Sequence, residues 1–543
     1  MNKLHPEDYI VFFIYFIAVA AYGYYIYHRK KSKVTDSKDF FLAEGSLTWW
    51  AIGASLIASN ISAEHFIGMS GSGFALGLAI ATYEWMAAAT LIIVAVFFIP
   101  IYLKNKIYTM PQFLARRYDD RVSTIMAIFW LLVYVFVNLT SIIYLGAIAI
   151  TSISTISFTW CIVGLIVFSI IVTLGGMKVI GYTDVIQVTV LMVGGLVTTY
   201  LALTLLAEKF GFENNFFKGF AILRDQADSH FHMIFDSKHP YYKDLPGLSV
   251  LIGGMWINNL NYWGCNQYIT QRALGADLKT ARDGILFAAF LKLLIPVIAV
   301  LPGIAMYVLY HQGLFHQEMM DESGVLKPDH AYPTLMNLLP PGLKGIAFAA
   351  LTAAIVASLA GKANSISTIF SLDIYKKFFR KNASEKALVS TGKWTVIVAM
   401  LLAGVVAPAL RSLEQAYQFI QEYVGFISPG VLAVFLLGLF WKKTTTNAAL
   451  AGTLLTIPVS TLLKFLPQWS NGYFPDVPFL DRMSITFGVI IFVMVTMSVL
   501  FPEKFEHRKA IEIDQQSFRV SFEFLTGAVI ITGILVALYT VFW

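Results

Sequence analysis

The sequence predicts an all-α protein that crosses a lipid bilayer many times. Of its 543 residues, 57% are hydrophobic and only 13% are charged, and its mean hydropathy is +0.68. Soluble chains carry about 25% charged residues, so this composition excludes a water-soluble globule. Apolar runs of roughly 20 residues, the length that a membrane helix needs, recur along the whole chain.

These apolar runs predict about fourteen membrane helices. Their approximate limits are 9–28, 47–77, 79–103, 122–151, 158–177, 180–206, 248–271, 284–311, 343–365, 394–410, 415–441, 445–466, 482–501 and 522–543. The first run has no basic region before it and no small-residue cleavage site after it. We therefore expect a retained helix there rather than a signal peptide.

Positively charged residues predict the orientation. They fall in alternate short connections, namely 29–33, 104–121, 272–282, 376–393, 442–443 and 504–519. Short loops rich in Lys and Arg stay in the cytoplasm, so both termini are expected outside, in agreement with an even number of helices. This bias explains the net charge of +6 without a nucleic-acid partner. The two cysteines, Cys161 and Cys265, lie in apolar runs and are expected to be small buried residues rather than a disulfide.

The second predicted span contains residues that weaken a helix. Its stretch GASLIASNISAEHFIGMSGSG carries Asn60, Ser62, Glu64, His65 and several glycines. Irregular backbone is tolerated at membrane depth only where it is buried in protein or lines a cavity. The stretch therefore predicts a helix interrupted near Asn60, and a continuous helix packed through small residues is the alternative.

Ionisable residues occur inside three further spans. Glu84 lies in TYEWM, Asp184 in YTDVIQ and Lys292 in FAAFLKLLIP. Charges in a membrane span are energetically costly and by default mark a binding site or a pathway. A structural ion pair or a side chain that reaches the interface would explain each one separately.

A cluster of amides and aromatic rings predicts the kind of ligand. The segment 256–268 reads WINNLNYWGCNQY, and 418–430 reads QFIQEYVGFISPG, with Gln421 near a proline and two glycines. Amides and carboxylates pair the hydroxyl groups of a sugar, while an aromatic face covers its C–H side. We expect a second interrupted span around 425–430. Interfacial anchoring is the alternative role for Tyr262 and Trp263.

Nearly the whole chain follows one known pattern, in the segments GASLIASNISAEHFIGMSGSG, TYEWM, GGMKVIGYTDVIQ, NNLNYWGCNQYITQR, AAFLKLLIP, FAALTAAIVASLAGKANSISTIFSLDIY and QEYVGFISPGVLAVFLLGLFWKKTT. In this order they resemble the solute:sodium symporter family, in its sodium/glucose and sodium/galactose branch. The resemblance implies a LeuT-type fold of two inverted five-helix repeats over 47–441. One helix (9–28) would precede this core, and three (445–543) would follow it.

The resemblance also implies roles for individual residues. The solute would be bound by Asn60, His65, Glu84, Asn259, Tyr262, Trp263, Lys292 and Gln421. Met69, Tyr83 and Tyr417 would form the outer gate, and Tyr262 would close the inner side. Ala87 and Asn261 stand where some relatives have a serine and a tyrosine, which leaves the choice of hexose open.

For the ion, the resemblance implies main-chain carbonyls of Ala58, Ile61 and Ala354 and the hydroxyl of Ser358. Asp184 would guide sodium on its inward route. Ala357 stands where a relative has a second serine, so one hydroxyl ligand is missing. Lys362 lies one helical turn beyond Ser358. Because 343–365 ends nearby, its ammonium is expected to reach outward to the interface.

The function that these observations predict is sodium-coupled symport of a glucose-like or galactose-like hexose by alternating access. Sodium would be the coupling ion, with no other cofactor and no enzymatic activity. A plasma membrane, such as a bacterial inner membrane, is the expected location, and the oligomeric state stays open. The alternatives are another solute (an inositol, a sialic acid, proline or pantothenate), coupling to protons, and a sensor that does not transport.

Overall fold

The structure, a computed structural model, describes residues 4–29, 47–175, 177–321, 324–412, 416–503 and 511–543. Apart from one isolated bridge between Met320 and Leu326, the regular elements of these residues are helical. The all-α prediction is therefore confirmed. Cys161 and Cys265 are both free and buried, as predicted.

The α-helices are numbered in chain order. The first half of the chain contains α1 (Pro6–Arg29), α2 (Trp49–Asn60), α3 (Ser70–Leu76), α4 (Thr82–Ile93), α5 (Ile99–Lys104), α6 (Met110–Arg117), α7 (Asp120–Val133), α8 (Thr140–Ile153), α9 (Phe158–Thr173), α10 (Met177–Lys209), α11 (Phe216–Gln226), α12 (Leu248–Ile252), α13 (Gly254–Gly264) and α14 (Gln267–Leu274). The second half contains α15 (Leu278–His311), α16 (Ala331–Asn337), α17 (Leu343–Ile369), α18 (Glu385–Val406), α19 (Ala416–Val424), α20 (Ser428–Phe440), α21 (Thr446–Trp469), α22 (Phe479–Leu500) and α23 (Phe522–Val541). Short π-helical or 3-10 segments join or extend several of them, at Glu64–Met69, Gly77–Ala81, Val94–Phe98, Tyr134–Leu139, Phe370–Phe379 and Ala407–Ser412.

Ten helices in the described part of the chain are long and apolar enough to cross a membrane. They correspond to ten of the predicted runs. The other four runs contain shorter helices: 158–177 holds a helix of 16 residues, and 47–77, 248–271 and 415–441 are each divided into separate helices. The difference therefore lies in breaks and short helices within the predicted spans.

Gly77 separates the second predicted span from the third. Its φ of 74° lies in the left-handed region, which residues with a side chain rarely adopt. A Cβ at this position would also collide with the backbone of His230. The chain can therefore leave α3 and enter α4 within a few residues, close to the predicted boundary between 77 and 79.

Helix α15 is packed tightly against both parts of the divided first span. Gly303 lies against the main chain at Ser70 on α3, and a Cβ at Gly53 on α2 would approach the carbonyl oxygen of Gly284 to 2.6 Å. Close backbone approach through small residues is typical of packing between membrane helices. It places Lys292, between the two contacts along α15, beside the gap between α2 and α3.

Three arginines in or next to the connections predicted to be cytoplasmic have buried side chains. The Arg117 guanidinium donates to the carbonyl of Gly438 at 2.9 Å, Arg272 to that of Ser55 at 3.0 Å, and Arg282 to that of Ala95 at 3.0 Å. Arg272 is only 1% exposed. Carbonyl groups of neighbouring segments, rather than water, satisfy these guanidinium donors, and the cytoplasmic location of the connections stays a prediction.

Glu422 on α19 ties the second broken span to helices that come later in the chain. Its carboxylate accepts from Lys464 on α21 and from Arg482 on α22. Arg482 also lies 3.7 Å from Asp476, which pairs with Lys243 at 2.8 Å. The short helix beside the cavity described below is therefore held by charges on two different helices.

Candidate functional site

The first broken span is interrupted directly after Asn60, as predicted. Ile61 is extended, with φ −73° and ψ 123°, and the π-helical segment Glu64–Met69 resumes the helical path. The amide of Ser62 donates to Nδ1 of His65 at 3.4 Å instead of continuing the helical ladder. Main-chain groups of the break are thereby available to ligands in the protein interior.

A network of buried polar groups surrounds this break. The Lys292 ammonium contacts both the amide oxygen of Asn60 and the carboxylate of Glu84. Nε2 of His65 lies 3.3 Å from the same carboxylate, and the Asn60 amide donates to the hydroxyl of Tyr262 at 2.8 Å. All three intramembrane charges, including Asp184, turn out to be buried and partnered, and Glu84 pairs with Lys292.

All eight side chains predicted to bind solute line one cavity. They come from α2, the π-helical segment Glu64–Met69, α4, α13, α15 and α19. The fold thus brings together residues far apart in sequence. The Lys292 ammonium lies 5.1 Å from the centre of the Trp263 ring, within cation–π distance. Asn259 donates to the carbonyl of Met255 at 3.1 Å, which leaves its amide oxygen for other partners.

The predicted gate residues separate into two groups. The rings of Tyr83 and Tyr417 meet edge to face, with centroids 5.5 Å apart, and both line the cavity. Tyr262 packs edge to face against Trp263 and Tyr268. Met69 lies in the apolar core and not in the cavity wall. The structure thus places the three tyrosines at the cavity and Met69 outside it.

The residues predicted to bind the ion lie at the end of α2 and on α17, two helices that contact each other. The hydroxyl of Ser358 donates to the carbonyl of Ser59 at 3.0 Å, one residue before Asn60. Ala58, Ile61 and Ala354 are all at most 1% exposed. Oxygen atoms of this kind are the ligands that hard cations prefer, and their enclosure fits a desolvated ion.

Asp184 on α10 belongs to a second buried cluster. This cluster contacts α2 at Ser55, one helical turn before Ser59. Asp184 accepts from the hydroxyl of Ser55 at 2.5 Å and lies 4.0 Å from the guanidinium of Arg272. One carboxylate oxygen of Asp184 and one guanidinium nitrogen of Arg272 have no hydrogen-bond partner. This cluster borders the same helix as the candidate ion ligands, on the side of α2 that precedes the break.

Lys362 does not reach the interface. Its side chain is 2% exposed, lines the cavity and lies 3.9 Å from the carboxylate of Glu64. The expectation was wrong because the helical path continues beyond α17 to Phe379, so Lys362 lies well inside a helix of 37 residues. Side chains on a helix point towards its N-terminus, which directs the ammonium back towards the break.

The sequence did not predict that Glu64 lines the cavity or that Arg272 joins the cluster around Asp184. Glu64 accepts from Ser141 on α8 at 2.5 Å, in addition to its contact with Lys362. A signal was available, because Glu64 is the only carboxylate in the predicted break. For Arg272 no such signal exists, since an arginine at the end of an apolar run is typical of a cytoplasmic loop.

A buried polar cavity between interrupted helices, in a chain with many apolar helices, is typical of a secondary transporter. Residues 40–456 match the family model of the sodium:solute symporter family. The chain belongs to this family, and it is therefore a multi-pass membrane protein and a sodium-coupled transporter rather than an enzyme.

Relatives and a solved structure agree with this assignment. The chain is 45% identical to the sodium/glucose cotransporter of Vibrio parahaemolyticus, over 99% of this chain and 98% of that protein. It is 34% identical to sodium/myo-inositol cotransporter 2 of Mus musculus, over 84% of this chain and 69% of that one. The structure of a Na+-coupled sialic acid symporter in a substrate-bound outward-open state superposes with a TM-score of 0.77 at 23% identity, covering 92% and 99% of the two chains. This likeness supports the LeuT-type fold.

Proposed function

We propose that this protein imports a neutral hexose, of the glucose or galactose kind, together with sodium. The observation that carries the proposal is the charge balance of the cavity wall. The two ammonium groups that line it each face a carboxylate: Lys292 faces Glu84, and Lys362 faces Glu64. A neutral solute rich in hydroxyl groups fits such a wall, because it brings no charge that would compete for either member of a buried pair.

The similarity to a protein named as a sodium/glucose cotransporter supports a hexose. Similarity to proteins named as sodium/myo-inositol cotransporters favours a cyclic polyol as the second candidate, since it presents the same ring of hydroxyl groups. An acidic sugar such as a sialic acid suits the cavity less well, because its carboxylate would have to displace Glu84 or Glu64 from its lysine.

Eight side chains would bind the solute in this proposal, namely Asn60, His65, Glu84, Asn259, Tyr262, Trp263, Lys292 and Gln421. Tyr83, Tyr417 and Met69 would close the outer side, and Tyr262 the inner side. Sodium would bind the carbonyls of Ala58, Ile61 and Ala354 with the hydroxyl of Ser358, and would leave past Asp184. Proline and pantothenate lack the ring of hydroxyl groups that these side chains suit.

Alternating access would follow from the position of the ion between α2 and α17. Sodium bound there would favour the conformer in which the two helices lie together, and this conformer would present Asn60 and His65 to the solute. Ion and solute then stabilise the same state, which is what coupling requires. After the outer side closes, both would leave to the inside.

The proposed topology has fourteen membrane spans, with the broken and short helices counted as spans. An inverted-repeat core over 47–441 would follow one helix at 9–28 and precede three at 445–543, with both termini outside. We place the protein in a plasma membrane, and a bacterial inner membrane fits the high similarity to the protein of Vibrio parahaemolyticus.

Uptake of radiolabelled hexose into proteoliposomes tests the proposal. Saturable uptake is expected with a sodium gradient, and little uptake when choline replaces sodium. Unlabelled myo-inositol and sialic acid, added separately, rank the competing solutes. Uptake that follows a proton gradient without sodium would contradict the coupling ion, and the absence of saturable uptake under any gradient would favour a sensor.

A further inference from the structure

Two charged residues of the cavity wall, Lys362 and Glu64, are not among the proposed solute or ion ligands. Lys362 projects from α17, one helical turn after Ser358, and Glu64 lies three residues after Ile61 at the break. Their charged groups are 3.9 Å apart, with side-chain exposures of 2% and 13%. They join the same two elements that the proposed sodium ion would join.

Glu64 is held in place by more than the lysine. Its carboxylate accepts from the hydroxyl of Ser141 at 2.5 Å and from that of Ser62 at 3.3 Å. The Lys362 ammonium lies 5.3 Å from the centre of the Tyr268 ring, and burial prevents it from turning to water. The two hydroxyl groups thus hold the Glu64 carboxylate in place, and this carboxylate forms an ion pair with the Lys362 ammonium.

A buried ammonium next to a cation site raises an electrostatic problem. Like charges repel strongly where water is excluded, and Ala357 leaves the proposed site with one hydroxyl fewer to attract the ion. A carboxylate beside the ammonium removes most of this repulsion. It also restrains the flexible lysine side chain, so that its charge is held against Glu64.

We propose that Glu64 is a positioning residue for sodium coupling: by pairing with Lys362 it neutralises and holds the ammonium, so that a sodium ion can bind between α2 and α17. The inference rests on the proposed ion site. It assigns to Glu64 an effect on the ion that operates through Lys362 and involves no contact with the ion itself.

The test compares the sodium concentration for half-maximal hexose uptake in four proteins: the unchanged chain, Glu64→Gln, Lys362→Met, and the double variant. Glu64→Gln should raise this concentration at least about tenfold, because it exposes sodium to an unpaired buried charge. Lys362→Met should leave it within about threefold or lower it, and the double variant should return it to within about threefold of the unchanged chain.

Three results would overturn the inference: an unchanged sodium requirement in Glu64→Gln, a raised requirement in Lys362→Met, or a double variant that behaves like Glu64→Gln. Ser141→Ala provides a second route if Glu64→Gln does not fold, since loss of the bond to Ser141 should raise the sodium requirement by about threefold only when Lys362 is present. Equal effects of Ser141→Ala with and without Lys362 would count against it as well.

Ser358→Ala distinguishes this inference from the function on which it rests. An unchanged sodium requirement in Ser358→Ala contradicts the proposed ion site itself. A raised requirement there, together with an unaffected Glu64→Gln protein, leaves the ion site in place and overturns only the role of Glu64.

Discussion

Ser59 and Asn60 are neighbours in the chain but offer different groups to the protein interior. Ser59 provides a main-chain carbonyl, which accepts from Ser358 at 3.0 Å. Asn60 provides its side chain, which contacts Lys292 and the hydroxyl of Tyr262. Asn60 also lies between Ala58 and Ile61, whose main-chain carbonyls would bind the ion. A side-chain substitution at Asn60 can therefore affect the proposed solute site while the carbonyls of the proposed ion site remain.

Because different residues would bind the solute and the ion, we expect one substitution to weaken solute binding and another to weaken sodium binding. Gln421→Ala should raise the half-saturating hexose concentration about tenfold, the effect of losing hydrogen bonds worth about 1.4 kcal/mol, with little change in the sodium requirement. Ser358→Ala should mainly raise the sodium requirement. Uptake titrated against hexose at fixed sodium, and against sodium at fixed hexose, measures both effects. A Gln421→Ala protein with unchanged hexose dependence would contradict the assignment of that residue.

The pair of Lys292 and Glu84 predicts a stability effect that is separate from transport. Lys292→Ala leaves a carboxylate buried without its ammonium, and breaking a buried pair costs about 3–5 kcal/mol. The unfolding temperature of the purified protein in detergent should therefore fall. The double variant Lys292→Met with Glu84→Gln should recover most of that loss while remaining inactive in hexose uptake. Recovery of uptake would show that the pair is structural only.

At the residue scale, the sequence allowed prediction of the side chains but not of their partners. Glu84 and Lys292 stand out because any charge in an apolar run does, and their separation of 208 positions hides that they touch. The buried position of Lys362 could not be predicted, since it depends on how far its helix continues. A run that loses its apolar character near residue 365 can still remain helical to Phe379.

At the element scale, the interruptions were the most predictable feature of the fold. Serine, asparagine and glycine within an apolar run compete for backbone hydrogen bonds or lower helix stability, and the first span breaks directly after Asn60. In the last core span, α19 ends at Val424 and α20 begins at Ser428, next to Pro429. The further divisions in 248–274, at Gly253 and at Cys265 with Asn266, were not predicted because they depend on contacts with other helices.

The close packing of α15 against α3 predicts the effect of a single methyl group. In Gly303→Ala the new Cβ would collide with the main chain at Ser70, and backbone cannot move aside as a flexible side chain can. We expect lower thermal stability and loss of uptake. Gly488→Ala is the matched control, because nothing lies within 4 Å of its added Cβ, and this variant should behave like the unchanged chain. Normal uptake by Gly303→Ala would disprove the tight packing.

At the scale of the whole molecule, the paired charges of the cavity leave the transported cation as the charge that crosses the membrane. One elementary charge gains about 2.3 kcal/mol per 100 mV. A neutral solute that moves with one sodium ion should therefore respond to voltage even though it carries no charge itself. The inverted-repeat core would convert this electrical energy into a solute gradient.

Hexose accumulation should accordingly depend on membrane potential. With one sodium ion per hexose, an inside-negative potential of about 100 mV should raise the limiting accumulation ratio up to about 50-fold. Proteoliposomes loaded with potassium and treated with valinomycin set this potential, and vesicles with equal potassium on both sides serve as the control. An accumulation ratio that ignores the potential would mean that no net charge accompanies the solute.

The position of the break in the first span also limits how the protein can be redesigned or can diversify. Substitutions at Gln421 on α19 or Asn259 on α13 alter the wall of the cavity at a distance from the proposed ion ligands. Substitutions at Asn60 or His65 alter the same short segment that would hold sodium. Substitutions on α13 and α19 should therefore be the easiest way to change the transported solute, because they need not disturb sodium binding.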